Sequence, residues 1–217
     1  MNVQRLLLGA SLSVVPVTAL LAFSSGPLPR FTGGFQEETC VSCHNSFPLN
    51  EGRTRGGNFH ISGVPESYRG GESYPITVLI SQPGQSRWGF QLSARQAASG
   101  EQAGQLVPAD DRTQLLEASG IQYIQQTSEG SRTALPNRPV EFRFNWIAPD
   151  PSHGPVIFNG AGNAADGSGD PTGDYIYTAG AYSDAPETAG TLLASAEPEV
   201  QPRLRLNTTS RFMHLPA

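Results

Sequence analysis

Between Asn58 and Thr178 the chain is a succession of short alternating or β-branched runs, each cut off by glycine, proline, asparagine or aspartate. Such punctuation excludes long helices and favours strands that reverse direction at close intervals. Phe59-His60-Ile61 alternates, Tyr74 to Ile80 is β-branched and apolar, and Trp88 to Ala94 alternates again. Gln122 to Gln126, Val140 to Ile147, Val156 to Asn159 and Asp174 to Thr178 are further strand candidates. Pro65, Gly70-Gly71, Pro83-Gly84, Pro136-Asn137, Pro149 to Pro151 and the Gly/Asp run from 160 to 173 supply the turns. The pattern predicts an all-β chain, an antiparallel β-sandwich. Only Asp110 to Ala118, with its acidic start, reads as a helix of one or two turns.

Residues 25–57 lack strand or helix periodicity but hold Cys40-Val41-Ser42-Cys43-His44. The run uses both cysteines of the chain and one of its four histidines. It is the c-type haem attachment signature. Two thiols at i and i+3 add across the vinyl groups of one porphyrin, and the following imidazole becomes the proximal iron ligand. A disulfide and a zinc site are the competing readings. A thioredoxin-like pair needs a βαβ setting, and a zinc site needs four ligands. Neither pattern surrounds Cys40, since His60, His153 and His214 are scattered. The expectation is one covalent haem c on Cys40 and Cys43, with His44 as an axial iron ligand.

The sixth ligand is open among His60, which alternates with Phe59 and Ile61, and Met213 or His214 in an apolar tail. His153, between Pro151 and Pro155, reads as a loop residue. Arg53 and Arg55 are candidates for propionate contacts because a guanidinium matches a carboxylate, though a solvated loop would place them equally well. Few large apolar side chains accompany the motif: Leu28, Phe31, Phe35, Val41, Phe47 and Leu49. They cannot cover a porphyrin alone, and apolar surface left in water costs about 25 cal/mol per Å². The pocket therefore needs the sandwich, the tail or another chain; a partner or a second copy completing it is the expectation.

Residues 1–24 read as a signal peptide: Arg5, an apolar stretch from Leu6 to Phe23, then Ala22-Phe23-Ser24 as a small-x-small cleavage site. Pro16 and the modest length disfavour a permanent span, although an uncleaved signal anchor is the alternative. Four parts follow: 1–24 signal peptide, 25–57 haem-attachment segment, 58–182 sandwich, 183–217 an Ala/Pro/Glu-rich linker and tail. Net charge is −5 and no basic cluster exists, which makes nucleic acid and anionic membrane poor partners, and none of either is expected. The 14 basic residues are all arginine. Asp166 to Asp174 alternates carboxylates as a calcium loop would, but Pro171 and Tyr177 stand where an EF-hand needs glycine and glutamate. A Gly-rich strand connection fits better. No Ser-His-Asp, Gly-x-Ser-x-Gly or paired-carboxylate arrangement stands out.

Three segments carry a family resemblance: Ile61-Ser-Gly-Val-Pro-Glu-Ser-Tyr-Arg-Gly-Gly-Glu-Ser-Tyr74, Trp88-Gly-Phe-Gln-Leu-Ser-Ala-Arg95 and Phe144-Asn-Trp-Ile-Ala-Pro149. A fourth runs from Gly160 to Asp170 and on through Gly173-Asp174-Tyr175-Ile176-Tyr177. Across about residues 36–180 the chain resembles the bacterial Reeler-like modules called choice-of-anchor V domains. The resemblance implies an exported, immunoglobulin-like β-sandwich, often preceded by a Cys-x-x-Cys-His stretch. It departs at Gln126, where the resemblance implies a histidine, and residues 183–217 carry no sorting or membrane anchor of the kind that often follows such modules.

The leading functional expectation is an exported monohaem c-type cytochrome moving single electrons between redox partner proteins, an electron carrier rather than a catalyst. The location would be periplasmic, cell-surface or extracellular, with no stable membrane span in the mature chain. The alternatives are a haem-based small-ligand sensor or enzyme, and a cell-surface binding or structural module whose haem is incidental or absent.

Overall fold

The computed structural model describes residues 24–132, 135 and 138–185. Nine strands follow one another: β1 Asn58–Ser62, β2 Ser73–Ser81, β3 Arg87–Gln96, β4 Gln105–Pro108 and β5 Thr113–Ala118, then β6 Ile121–Gln126, β7 Val140–Ile147, β8 Val156–Ala165 and β9 Tyr175–Ser183. They form two antiparallel sheets, one ordered β1-β2-β7-β4 and the other β5-β6-β3-β8-β9. This is the sandwich that the punctuated pattern predicts. Alternation along each strand sends one set of side chains between the sheets. Trp88, Phe90, Leu92 and Ala94 from β3 meet Phe142, Phe144 and Trp146 from β7 there, all nearly inaccessible to solvent. Phe90 lies tilted against Phe142 at 4.7 Å, and Trp146 meets Phe158 edge-on at 4.9 Å.

Two sequence expectations fail here. Asp110 to Ala118 is not helical. Asp110 starts a turn, accepting from the Arg112 amide at 3.0 Å, and β5 then pairs with β6 through a two-residue hairpin loop. Ser119 and Gly120, at φ +52° and +76°, give that loop two left-handed residues, as a type I′ turn demands. Pairing with β6 outweighs the weak local helix preference. The Gly160-Ala161-Gly162 stretch, read as a turn, is instead the middle of β8. Its glycines face the core because Phe59 of β1 lies against them: a Cβ on Gly162 would stand 2.6 Å from the Phe59 ring. The true connection, Asp166–Asp174, begins only after the strand. Strand β4 has no counterpart in the sequence reading; it is four residues long, ends in proline and lies at a sheet edge.

The outer face of the five-stranded sheet is covered by residues 24–57. Gln91 of β3 is fully buried under them, accepting from the Phe31 amide at 2.7 Å and donating to the Leu28 carbonyl at 2.9 Å. Glu37 reaches down to Arg95 of β3 and to the Tyr123 hydroxyl of β6, the latter at 2.6 Å. Its carboxylate is 1 % exposed, so the ion pair is a buried one. Phe35 and Gln36 just before it take left-handed φ values of +52° and +64°. That conformation costs about 1–2 kcal/mol per residue. The Arg95 guanidinium over the Phe35 ring at 5.1 Å helps hold it. Asn50 then caps the free edge of β9: its amide donates to the Ile176 carbonyl at 2.8 Å, and its side chain exchanges bonds with Thr178. An edge strand so covered cannot pair with another chain there.

Candidate functional site

The Cys-x-x-Cys-His run folds into a single 3₁₀ turn over Cys40–Ser42. Thr39 caps it by accepting from the Val41 amide at 3.3 Å, and the His44 amide closes the turn on the Cys40 carbonyl at 2.9 Å. Cys43 follows as the C-cap of the turn, its amide donating to the Cys40 carbonyl at 3.3 Å. Both cysteines are free thiols. Cys43 is exposed, whereas burial pushes the Cys40 thiol up to about 12.

His44 does not point into solvent. Its Nδ1 lies 2.6 Å from Oδ2 of Asp174, a carboxylate 1 % exposed at the entrance to β9. An ionised carboxylate only accepts, so Nδ1 donates to it, and Nε2 lies 3.5 Å from Nδ2 of Asn163. Asn163 of β8 is a third member, with Nδ2 3.4 Å from the same Asp174 oxygen. The other Asp174 oxygen accepts from the Asp166 amide at 3.2 Å. The preceding residue is fixed from both sides: the Gly173 amide donates to Ser46 Oγ at 2.9 Å, and its carbonyl accepts from Gln85 at 2.9 Å. Gly173 itself has φ +79°, and a Cβ there would stand 2.8 Å from Asp166, so the approach to Asp174 requires glycine.

Beside this group lies a cavity of about 440 Å³, within the range of small-molecule sites, about 300–1,000 Å³. His44, Asn163 and Asp174 form one wall, and Trp88, Gly89 and Gln126 belong to the lining. Arg87 and Arg132, both exposed, also contribute. Neither arginine has a carboxylate partner among the described residues. Two buried polar atoms of the lining have no hydrogen-bond partner there: the indole nitrogen of Trp88, a donor, and Oδ1 of Asn163, an acceptor. Buried polar atoms are rarely left so. Of the Cys-x-x-Cys-His run only His44 belongs to the lining; Cys40 and Cys43 do not.

The remaining candidates lie elsewhere. Arg53 is spent on the fold, donating to the Thr178 carbonyl at 2.9 Å and lying 5.8 Å over the Tyr177 ring. Arg55 pairs with Glu51 at 2.8 Å and lies over Phe47, which stacks on Tyr175 at 4.2 Å. His60 is exposed on the outward face of β1 and is not part of the cavity lining. His153 is exposed in a loop. Met213 and His214 lie outside the described residues. In the acidic loop, Asp166 and Asp170 accept from the amides of Ser168 and Thr172, at 2.7 and 2.8 Å. No cluster of three or more metal-ligating His, Cys, Asp or Glu side chains occurs among the described residues, and no helix there is long and apolar enough to cross a membrane.

Asp174, Asn163, Trp88, Arg87 and Arg132 line the cavity and are not singled out by the sequence. Asp174 stood in plain view as one aspartate of a regular-looking series, and only its turn inward distinguishes it.

The two antiparallel sheets, with a histidine turn docked across one of them, define a β-sandwich module carrying a side-chain site on its covered face. Residues 41–161 match the family model of the Reeler domain, more than half of the chain. The chain belongs to the Reeler domain family. Among solved structures it is similar to the human F-spondin reeler domain, at 21 % identity and a TM-score of 0.44, over 65 % of this chain and 95 % of that one. A structure of the Reelin-N domain of F-spondin gives 20 % identity and a TM-score of 0.43, over 68 % and 97 %. A cohesin module from a Clostridium perfringens family 33 glycoside hydrolase gives 13 % and 0.43, over 59 % and 96 %. No curated protein matches the chain.

Proposed function

We propose that the protein is an exported electron carrier whose Cys-x-x-Cys-His turn, docked on the Reeler sandwich, holds one covalent c-type haem. The observation that supports this reading is the His44–Asp174 bond of 2.6 Å, in which Nδ1 of the histidine of a Cys-x-x-Cys-His turn meets a buried carboxylate. Metal-bound histidines characteristically donate their other ring nitrogen to a carboxylate in this way. When bound, the haem supplies a one-electron ferric/ferrous couple. Cys40 and Cys43 would hold it by thioethers, and His44 would ligate the iron. Arg87 and Arg132, which line the cavity, join Arg53 and Arg55 as candidates for propionate contacts. Gln126, in the same lining, offers an amide rather than an imidazole.

The redox partner would approach the solvent side of the cavity, where Arg87, Arg132 and Asp170 are exposed. The signal-like residues 1–24 and the family's extracellular character support a location outside the cytoplasm.

The deciding experiment is expression with a c-type maturation system, followed by denaturing extraction and a reduced pyridine-haemochrome spectrum. A c-type α-band that stays with the polypeptide and disappears in Cys40→Ala/Cys43→Ala is the expected result. Its absence would leave an extracellular β-sandwich module of the Reeler family with a binding role.

A further inference from the structure

We infer that the cavity beside His44 is a binding site for a small organic acid whose carboxylate has a hydrogen-bond donor next to it, an amino or hydroxy acid. Cys40 and Cys43 lie outside the lining, and the inference is independent of the haem reading.

The cavity exists because a sheet splits there. Strand β3 is in register with β6 only at Gln91 and Leu92. One residue earlier, the Phe90 amide donates to the side chain of Gln126 at 2.8 Å instead of to a strand. Arg87 and Trp88, at the start of β3, therefore border an opening on that side rather than a neighbouring strand. Arg132, in the 3₁₀ turn Gly130–Arg132, belongs to the same lining.

The groups left unpaired there define the ligand. Trp88 is 1 % exposed, yet its indole N–H has no acceptor among the described residues. Asn163 presents the complement. Its Nδ2 faces Asp174 Oδ2 at 3.4 Å, an orientation the carboxylate dictates, because a second oxygen in that place would be repelled. Oδ1 is thereby turned away, buried and without a donor among the described residues. A buried donor and a buried acceptor on one cavity call for a ligand that supplies both functions. Arg87 and Arg132 provide the charge, since neither has a carboxylate partner among the described residues and a guanidinium matches a carboxylate. Asp170 stands in the same lining and disfavours a dianion such as phosphate. A single carboxylate thus meets the two arginines and the Trp88 N–H, and the amino or hydroxyl group beside it donates to Asn163 Oδ1.

The test is calorimetric titration of the full chain with a panel of free α-amino and α-hydroxy acids, each run beside the acid of the same skeleton that lacks the donor. At least one member of the panel should bind, and its donor-free counterpart should bind about tenfold more weakly, the loss of one hydrogen bond to a buried partner. Trp88→Phe keeps an aromatic ring in the core and removes only the N–H, and it should weaken binding by about tenfold as well. Should that variant not fold, Arg132→Gln, at an exposed position, decides in its place with the same expected loss. The inference is overturned if no member of the panel binds, or if a donor-free acid binds as tightly as its counterpart. Binding that survives the deciding substitution unchanged overturns it too, because the acid would then be held elsewhere.

Discussion

Glu37 shows how one residue can fasten a whole segment. Its carboxylate is buried on a strand-borne arginine, with the Thr32 hydroxyl donating at 2.6 Å and that of Tyr123 at 2.6 Å. Removing one partner of a buried pair strands the other, which typically costs about 3–5 kcal/mol. Glu37→Ala should therefore lower stability by about that amount in urea denaturation; a change within error would mean that Arg95 escapes to water. Cys40 makes a second residue-level case. A thiol raised to about 12 by burial holds almost no thiolate near neutrality, and the thiolate is the nucleophile. In haem-free protein, iodoacetamide should label Cys43 under native conditions and Cys40 only after unfolding. Equal labelling rates would show that the turn opens freely.

At the level of elements, β8 carries the most information about how the two sheets approach. Gly162 faces Phe59 so closely that a methyl group cannot be added without moving one sheet. Gly162→Ala should cost about 1–3 kcal/mol, the usual penalty for overpacking. Combining it with Phe59→Leu should return part of that loss in thermal unfolding. Additive losses in the double variant would show that the two residues do not share the space.

The same strand explains what was legible in the sequence. Strands β2, β3, β6 and β7 were readable because local alternation and β-branching agree with their burial. The second half of β8 was not, since glycine signals a turn locally and close sheet packing only in three dimensions. β5 was misread for a related reason: Leu115 and Leu116 suit either element, and the hairpin with β6 chooses between them. At the site, the Cys-x-x-Cys-His turn was legible from spacing alone. Asp174 and Asn163 were not, because their roles arise from strands that meet the turn only after folding.

Across the whole molecule, protonated groups are buried where the covering segment meets the sandwich and where the sheets meet. Burial, reinforced by Glu37, pushes the Tyr123 hydroxyl up to about 12, and burial does the same for Tyr177. The Cys40 thiol shifts likewise from 9.0 to about 12. In each case the folded state keeps a proton that the unfolded chain releases. Their contribution is complete below the ordinary values of 9.0 and 10.0 and is lost as pH climbs toward about 12. The melting temperature of haem-free protein should thus hold steady up to about pH 9 and fall steeply beyond it. Tyrosinate absorbance should rise with unfolding rather than ahead of it. A flat melting temperature through that range would place these hydroxyls in solvent.

The His44–Asp174 bond joins residues 130 positions apart. Synthesis delivers the histidine early and its carboxylate only with the ninth strand of the sandwich. A chain stalled or cut before residue 174 would still display the cysteine turn, yet its imidazole would have no buried anion to meet. The topology thus makes the last strand the one that finishes a site begun before the first, and a single hydrogen bond records whether the chain has closed on itself.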